Sequence, residues 1–248
     1  MEHKKAEPPY RTVIFDCDST LSEIEGIEVL SEAFTEEIKV LTDQAMNGEV
    51  PLEAVYGARL DTIRPTRAQI ERIGQRYIDS AVPHARELVA ALHALGKEVR
   101  IVSGGLLQPV QVFADDLGLP RERVDAVAIY FDDAGDYTGF DADSPVARAG
   151  GKYDLVESFL RDEPARAPVA LIGDGMTDLE AAPLCARFIA YGGVEARERV
   201  FAGADATCAT LDFAALVPLL LSAEEIAQLA ADAAHQSLLA AHHELNPA

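Results

Sequence analysis

Thr12-Val13-Ile14-Phe15-Asp16-Cys17-Asp18-Ser19-Thr20 is the stretch that decides how this chain reads. A short β-branched, apolar run gives way at once to a polar cluster. That pattern predicts a buried strand feeding a loop. Residues i and i+2 of an extended chain point to one side, so Asp16 and Asp18 would share a face. Two carboxylates held that close are costly unless a cation lies between them or one of them keeps a proton. Taken alone, the run also suits a helix N-cap, since Asp, Ser and Thr all cap well. Ser22 and Glu25 likewise match a capping box.

Downstream, residues 22–80 change character. Ile24, Ile27, Leu30 and Phe34, then Ile38, Leu41 and Ala45, follow helical spacing, with Gly48, Pro51 and Pro65 as punctuation. This predicts roughly four helices inserted after the first strand. Beyond Val82, strand and helix alternate. Pro83 opens a helix stopped by Gly96. Val99–Val102 is a strand running into Ser103-Gly104-Gly105, and another helix follows to Gly118. Val124–Phe131 reads as a strand and Asp132–Gly139 as a hairpin turn. A helix starts near Lys152. Pro168–Ile172 is a buried strand ending at Gly173-Asp174-Gly175, and Phe188–Tyr191 a further one ending at Gly192-Gly193.

Repeated strand, polar loop and helix imply an α/β fold: a Rossmann-like parallel sheet with helices on both faces. Ligands of such sheets sit at the carboxyl ends of the strands. The clusters at 16–20, 103–105 and 173–178 would then face one crevice. The expected organisation is a core of residues 1–21 and 81–221, a helical cap of 22–80, and a C-terminal helical extension of 222–248. Ile226, Leu229, Ala230, Ala233 and Ser237 make one helical stripe in that extension. It serves either its own core or a second copy in a homodimer.

The chain has 248 residues, 49% hydrophobic and 25% charged. At that length a folded chain buries roughly three quarters of its unfolded surface. Net charge is −21, which argues against nucleic-acid and membrane-surface partners. A small anionic substrate then needs a local cation to reverse the field. The three cysteines are widely spaced, without a C-x-x-C, which fits a reducing compartment. No run of about 18 apolar residues occurs, and the polar N-terminus lacks a signal-peptide core. A cytoplasmic protein is expected.

The loop chemistries complement one another. Ser103-Gly104-Gly105 offers a hydroxyl and unencumbered N–H groups to an anion, or is an ordinary capped turn. Lys152 after Gly150-Gly151 is a lone cation at a helix start, or a surface lysine. Gly173-Asp174-Gly175-Met176-Thr177-Asp178 places two more carboxylates past a strand, or is a tight turn with a cap. Together, Asp16, Asp174 and the backbone carbonyl of Asp18 offer hard oxygen ligands suited to Mg²⁺. Mg²⁺ and Lys152 would supply the missing local positive charge.

In this order, D-C-D-S-T, S-G-G, G-G-K and G-D-G-M-T-D resemble the four motifs of the haloacid dehalogenase superfamily. Glu25-Gly26-Ile27, Ala45-Met46-Asn47-Gly48, Val50-Pro51, Arg59-Leu60 and Gly139-Phe140 further resemble its phosphoserine phosphatase branch. The resemblance implies that Asp16 is a nucleophile forming an aspartyl-phosphate and Asp18 the general acid and base. It implies that Ser103 and Gly104 hold phosphoryl oxygens, with Thr177 beside them and Lys152 neutralising charge. Asp174 would bind the metal, with Asp178 acting from behind it. Glu25 would pair with the ammonium of O-phosphoserine, Arg59 with its carboxylate, and Met46 would cover it. The branch usually has phenylalanine after Val-Pro; here Leu52 stands. Two other readings stay open: a phosphatase or phosphotransferase for another small phosphate such as phosphohomoserine, and a non-catalytic phosphate-binding module.

Overall fold

The computed structural model describes residues 7–30 and 52–246. At its centre β1 (Thr12–Phe15) is buried at every position, as befits an apolar run covered on both faces. The chain then makes an irregular turn over Cys17–Leu21, and Ser19 takes a positive φ of 51° there. Helices α1 (Gly26–Leu30), α2 (Leu52–Ile63) and α3 (Arg67–Asp79) follow. Pro65 separates the last two, and a reciprocal capping box between Thr66 and Gln69 starts α3. Exit and return run side by side. Ser22 bridges Ala81, Glu23 N–H donates to Ser80 O at 2.8 Å, and Val82 N–H donates to Leu21 O at 3.0 Å.

Next come α4 (Ala85–Ala94), β2 (Glu98–Leu106), α5 (Leu107–Asp116) and β3 (Val124–Val127), then the hairpin of β4 (Ile129–Phe131) and β5 (Tyr137–Phe140). The second half runs α6 (Gly151–Asp162), β6 (Val169–Gly173), α7 (Met176–Ala181), β7 (Arg187–Tyr191), α8 (Glu198–Gly203) and β8 (Ala206–Cys208). The sheet order is β3-β2-β1-β6-β7-β8, with every pair parallel. Strands are added outward from β1 on both sides, the arrangement in which right-handed crossovers cover both faces of a parallel sheet. The Rossmann-like α/β expectation is met.

The chain ends in α9 (Val217–Leu220), α10 (Ala223–Ala230) and α11 (Gln236–Leu245). The expected single stripe is two helices, broken where Asp232 caps a short turn by accepting from Ala234 N–H, and of its residues Leu229 is buried and Ile226 half-buried while Ala230, Ala233 and Ser237 are exposed. Leu229, Leu238 and Leu239 are buried against the same chain. Buried Lys97 ties α10 down, pairing with Glu225 and donating to Tyr10 O at 2.6 Å.

Other local readings are corrected. Ser103–Gly105 is no loop: β2 runs through it to Leu106, with a register shift after Val102, and α5 starts at once. The strand expected over 124–131 breaks at Ala128, where the Gln108 side-chain amide holds Ile129 O at 2.6 Å and the chain turns to pair with β5. The Ser22–Glu25 capping box does not form. Ser22 Oγ donates instead to Ser80 O, and Glu25 accepts from Ser19 Oγ. The three-residue β8 was too short to show in the hydropathy pattern.

Candidate active site

Strand order reverses between β1 and β6, and Phe15 pairs in register with Ile172. The crevice beyond such a switch point is where ligands bind in open α/β sheets. Asp16 is the first residue past β1, and its N–H donates to Ile172 O at 2.9 Å. Asp174 is the first residue past β6. Parallel pairing therefore places two carboxylates from distant parts of the chain at one spot.

Lys152 reaches them from the first turn of α6. A Cβ on Gly151 would overlap the Pro145 carbonyl, so glycine lets this helix end sit deep. The Lys152 ammonium lies 2.8 Å from Asp16 Oδ2 and 2.7 Å from Asp178 Oδ1. Burial works against its charge, but Asp16 and Asp178 outweigh burial and hold its pKa above the ordinary lysine value. Asp178 is fully enclosed, and its Oδ2 accepts Gly175 N–H at 3.1 Å. Burial pushes its carboxyl up to about 7, with Lys152 pulling the other way. Asp174 Oδ1 accepts from Thr20 Oγ1 at 3.1 Å, and its Oδ2 pairs with the guanidinium of buried Arg197.

Asp18 sits beside this group. Its Oδ1 accepts from the Tyr77 hydroxyl at 2.5 Å and from Gly26 N–H at 2.7 Å. Its Oδ2 accepts from Ser103 Oγ at 3.3 Å, and Ser103 Oγ in turn accepts Gly105 N–H at 2.9 Å. Burial raises the Asp18 pKa, and the hydrogen bonds from Tyr77 and Gly26 oppose that rise. Glu25 accepts from Ser19 Oγ at 2.6 Å. Burial pushes its carboxyl up to about 8, and the negative charge of Asp18 adds to this. Arg59 on α2 is buried with its guanidinium 5.5 Å from the centre of the Tyr56 ring. Burial lowers its pKa, while Tyr56, Glu25 and Asp18 favour its charge.

Thr177 is half-buried in the first turn of α7, and Gly104 is half-buried in β2. Met46, Gly48 and Val50-Pro51 lie outside the described residues, as does the Leu52 side chain. Arg197 and Tyr77 stand in no motif, and nothing local in the sequence marks either as buried beside a carboxylate.

Asp16, Asp174 and Asp178 each bring one carboxylate oxygen within 4.8 Å of the others. All three are buried, and their three negative charges face two cations, Lys152 and Arg197. Nearby Cys17 is fully buried, and burial raises its thiol pKa well up. The donor set fits a hard divalent cation. The arrangement suits transfer of an anionic group to a carboxylate, with a second carboxyl close by for proton transfer.

Among the described residues no helix is long and apolar enough to cross a membrane. A family model described as haloacid dehalogenase-like hydrolase matches residues 13–183. The chain is 38% identical over 200 residues to a chloroplastic phosphoserine phosphatase of Arabidopsis thaliana, an alignment covering 78% of this chain and 66% of that one. It is 35% identical over 190 residues to a phosphoserine phosphatase of Bos taurus, covering 76% of this chain and 84% of that one. Among solved structures, a phosphoserine phosphohydrolase-like protein from Francisella tularensis superposes with a TM-score of 0.72 at 27% identity, over 88% of this chain and 99% of that one. Sheet order, the carboxylates at its switch point and these matches agree: the chain belongs to the haloacid dehalogenase-like hydrolase family, in its phosphoserine phosphatase branch.

Proposed function

We propose that this chain hydrolyses O-phospho-L-serine to L-serine and phosphate through an aspartyl-phosphate on Asp16. The observation that carries this reading is the pairing of Asp16 with buried Lys152 at 2.8 Å beside a second, Ser103-bonded carboxyl on Asp18. Asp16 attacks phosphorus, and the bond from phosphorus to the serine oxygen breaks. Asp18 gives that oxygen its proton, then takes a proton from the water that releases phosphate and restores Asp16. Lys152 offsets charge on the phosphoryl group, and Ser103, Gly104 and Thr177 bind its oxygens.

In this reading Asp16, Asp174 and the Asp18 carbonyl hold Mg²⁺, with Asp178 fixing Lys152 behind them. The bound cation supplies the positive charge that lets a phosphate dianion approach this carboxylate cluster. Glu25 receives the substrate ammonium, Arg59 its carboxylate, and Met46 covers the methylene. Residues 22–80 act as the cap over a core of 1–21 and 81–221. The tail beyond 222 serves this core, since Leu229, Leu238 and Leu239 pack on the same chain. Buried free thiols at Cys17, Cys185 and Cys208 support a cytoplasmic setting.

The relatives' names support the substrate, and intact Asp16 and Asp18 speak against a mere binding module. The test is phosphate release from L-phosphoserine, phosphohomoserine and an aryl phosphate, each with Mg²⁺ and with EDTA. A Mg²⁺-dependent preference for L-phosphoserine is expected. Release from the aryl phosphate alone would reject the substrate, and release from none would reject the hydrolase.

A further inference from the structure

Asp18 is gripped by an element outside its own strand and loop. Its Oδ1 takes two donors at once, the Tyr77 hydroxyl at 2.5 Å and Gly26 N–H at 2.7 Å, while Oδ2 faces Ser103. Two donors fill the lone pairs of Oδ1. The carboxyl cannot turn over without leaving both donors unpaired in buried surroundings. Tyr77 itself is held. It is fully buried, and its ring stacks on Phe113 of α5 with centres 6.0 Å apart and planes 14° apart. One turn earlier, a Cβ on Gly74 would lie 2.9 Å from Val112 on the same helix α5. A Cβ on Gly26 would collide with the Tyr77 hydroxyl, so glycine is needed for the N–H to approach from that side.

We propose that Tyr77 is a positioning residue for the hydrolysis: its hydroxyl, with Gly26 N–H, pins Asp18 so that Oδ2 is the oxygen presented to the leaving group beside Ser103. This rests on the reading of Asp18 as proton donor. The end of α3 clamped to α5 then sets the acid's orientation before substrate arrives.

Tyr77→Phe removes one oxygen and keeps the ring on Phe113. With L-phosphoserine, whose alkoxide leaves poorly without a proton, kcat should fall about 10- to 100-fold with KM changed less than about twofold. With an aryl phosphate, whose phenolate leaves unaided, single-turnover phosphoryl transfer should fall less than about threefold. Equal losses with both leaving groups, or a loss confined to KM, would overturn the assignment. Wild-type protein that hydrolyses phosphohomoserine but not phosphoserine would end the substrate reading alone, and the alkyl-to-aryl contrast is then read on phosphohomoserine. No turnover of any phosphate would reject the hydrolase and this assignment with it. Should Tyr77→Phe not fold, proton NMR of the wild type decides. A strongly downfield phenolic resonance that moves upfield in Asp18→Asn is expected, and its absence from the wild type overturns the proposal.

Discussion

Lys152 Nζ lies 2.8 Å from Asp16 Oδ2, and the two come from helix and strand ends 136 positions apart in sequence. The same ammonium lies 2.7 Å from Asp178, so one buried cation serves two buried carboxyl groups. Removing one partner of a buried ion pair leaves a charge with no compensation. Lys152→Met should therefore cost about 3–5 kcal/mol of stability in EDTA at neutral pH. Urea unfolding measures it. A loss under about 1 kcal/mol would show that the carboxylates take up protons instead.

Metal and fold should be linked through the same carboxylates. A ligand that binds only the folded state at a hundred times its Kd stabilises by about 2.7 kcal/mol. Mg²⁺ should raise the melting temperature of the wild type above its value in EDTA. Asp174→Asn, which keeps the shape but loses the charge, should lose most of that rise. A wild-type melting curve indifferent to Mg²⁺ and to other divalent cations would remove the metal from this site.

Glu25 gives a pH dependence with a definite sign. Burial lifts its folded pKa from the usual carboxylate range to about 8. The folded state therefore binds more protons than the unfolded state between those values, and stability contributed by this group falls as pH rises through that window. Glu25→Gln removes the penalty. The variant should gain stability over the substrate-free wild type, by about 1 kcal/mol or more at pH 8 and little at pH 4. It should at the same time lose its preference for a substrate carrying an ammonium. Melting curves at a series of pH values check the first outcome, and turnover of phosphoserine against an aryl phosphate checks the second.

Arg59 should read the substrate carboxylate. A charge-assisted hydrogen bond is worth about 1.5–3 kcal/mol, so Arg59→Ala should lower kcat/KM for phosphoserine about 10- to 100-fold. An aryl phosphate without a carboxylate should lose less than about threefold by the same reasoning. Some stability will also go, because the guanidinium is buried over Tyr56. Equal losses on both substrates would make Arg59 structural.

The sheet was legible because its central strands are unbroken apolar runs. Thr12–Phe15 and Val169–Ile172 are buried at every position, and each is followed by residues that no core would accept unpaired. The loops that carry Asp16 and Asp174 could be placed for the same reason. Ser103–Gly105 reads as a loop because glycine usually ends a strand, and here the register shift absorbs it. Arg197 and Tyr77 were not legible. Each acts on a carboxylate far off in sequence, and a buried arginine or tyrosine has the same local pattern as an exposed one. The Ser22–Glu25 box fails because Ser80, at the end of α3, offers Ser22 a carbonyl that no local pattern announces.

The paired passage at Ser22 and Ala81 has an evolutionary consequence. Where the chain leaves the sheet and where it comes back, the backbone is already hydrogen-bonded to itself. Ends that touch can be rejoined by a turn of a few residues, so what is threaded between them can be lengthened, trimmed or exchanged while β1 and β2 keep their register. That freedom stops at the two ends of the insert, because Gly26 and Tyr77 hold Asp18 from within it and any replacement has to bring donors of its own.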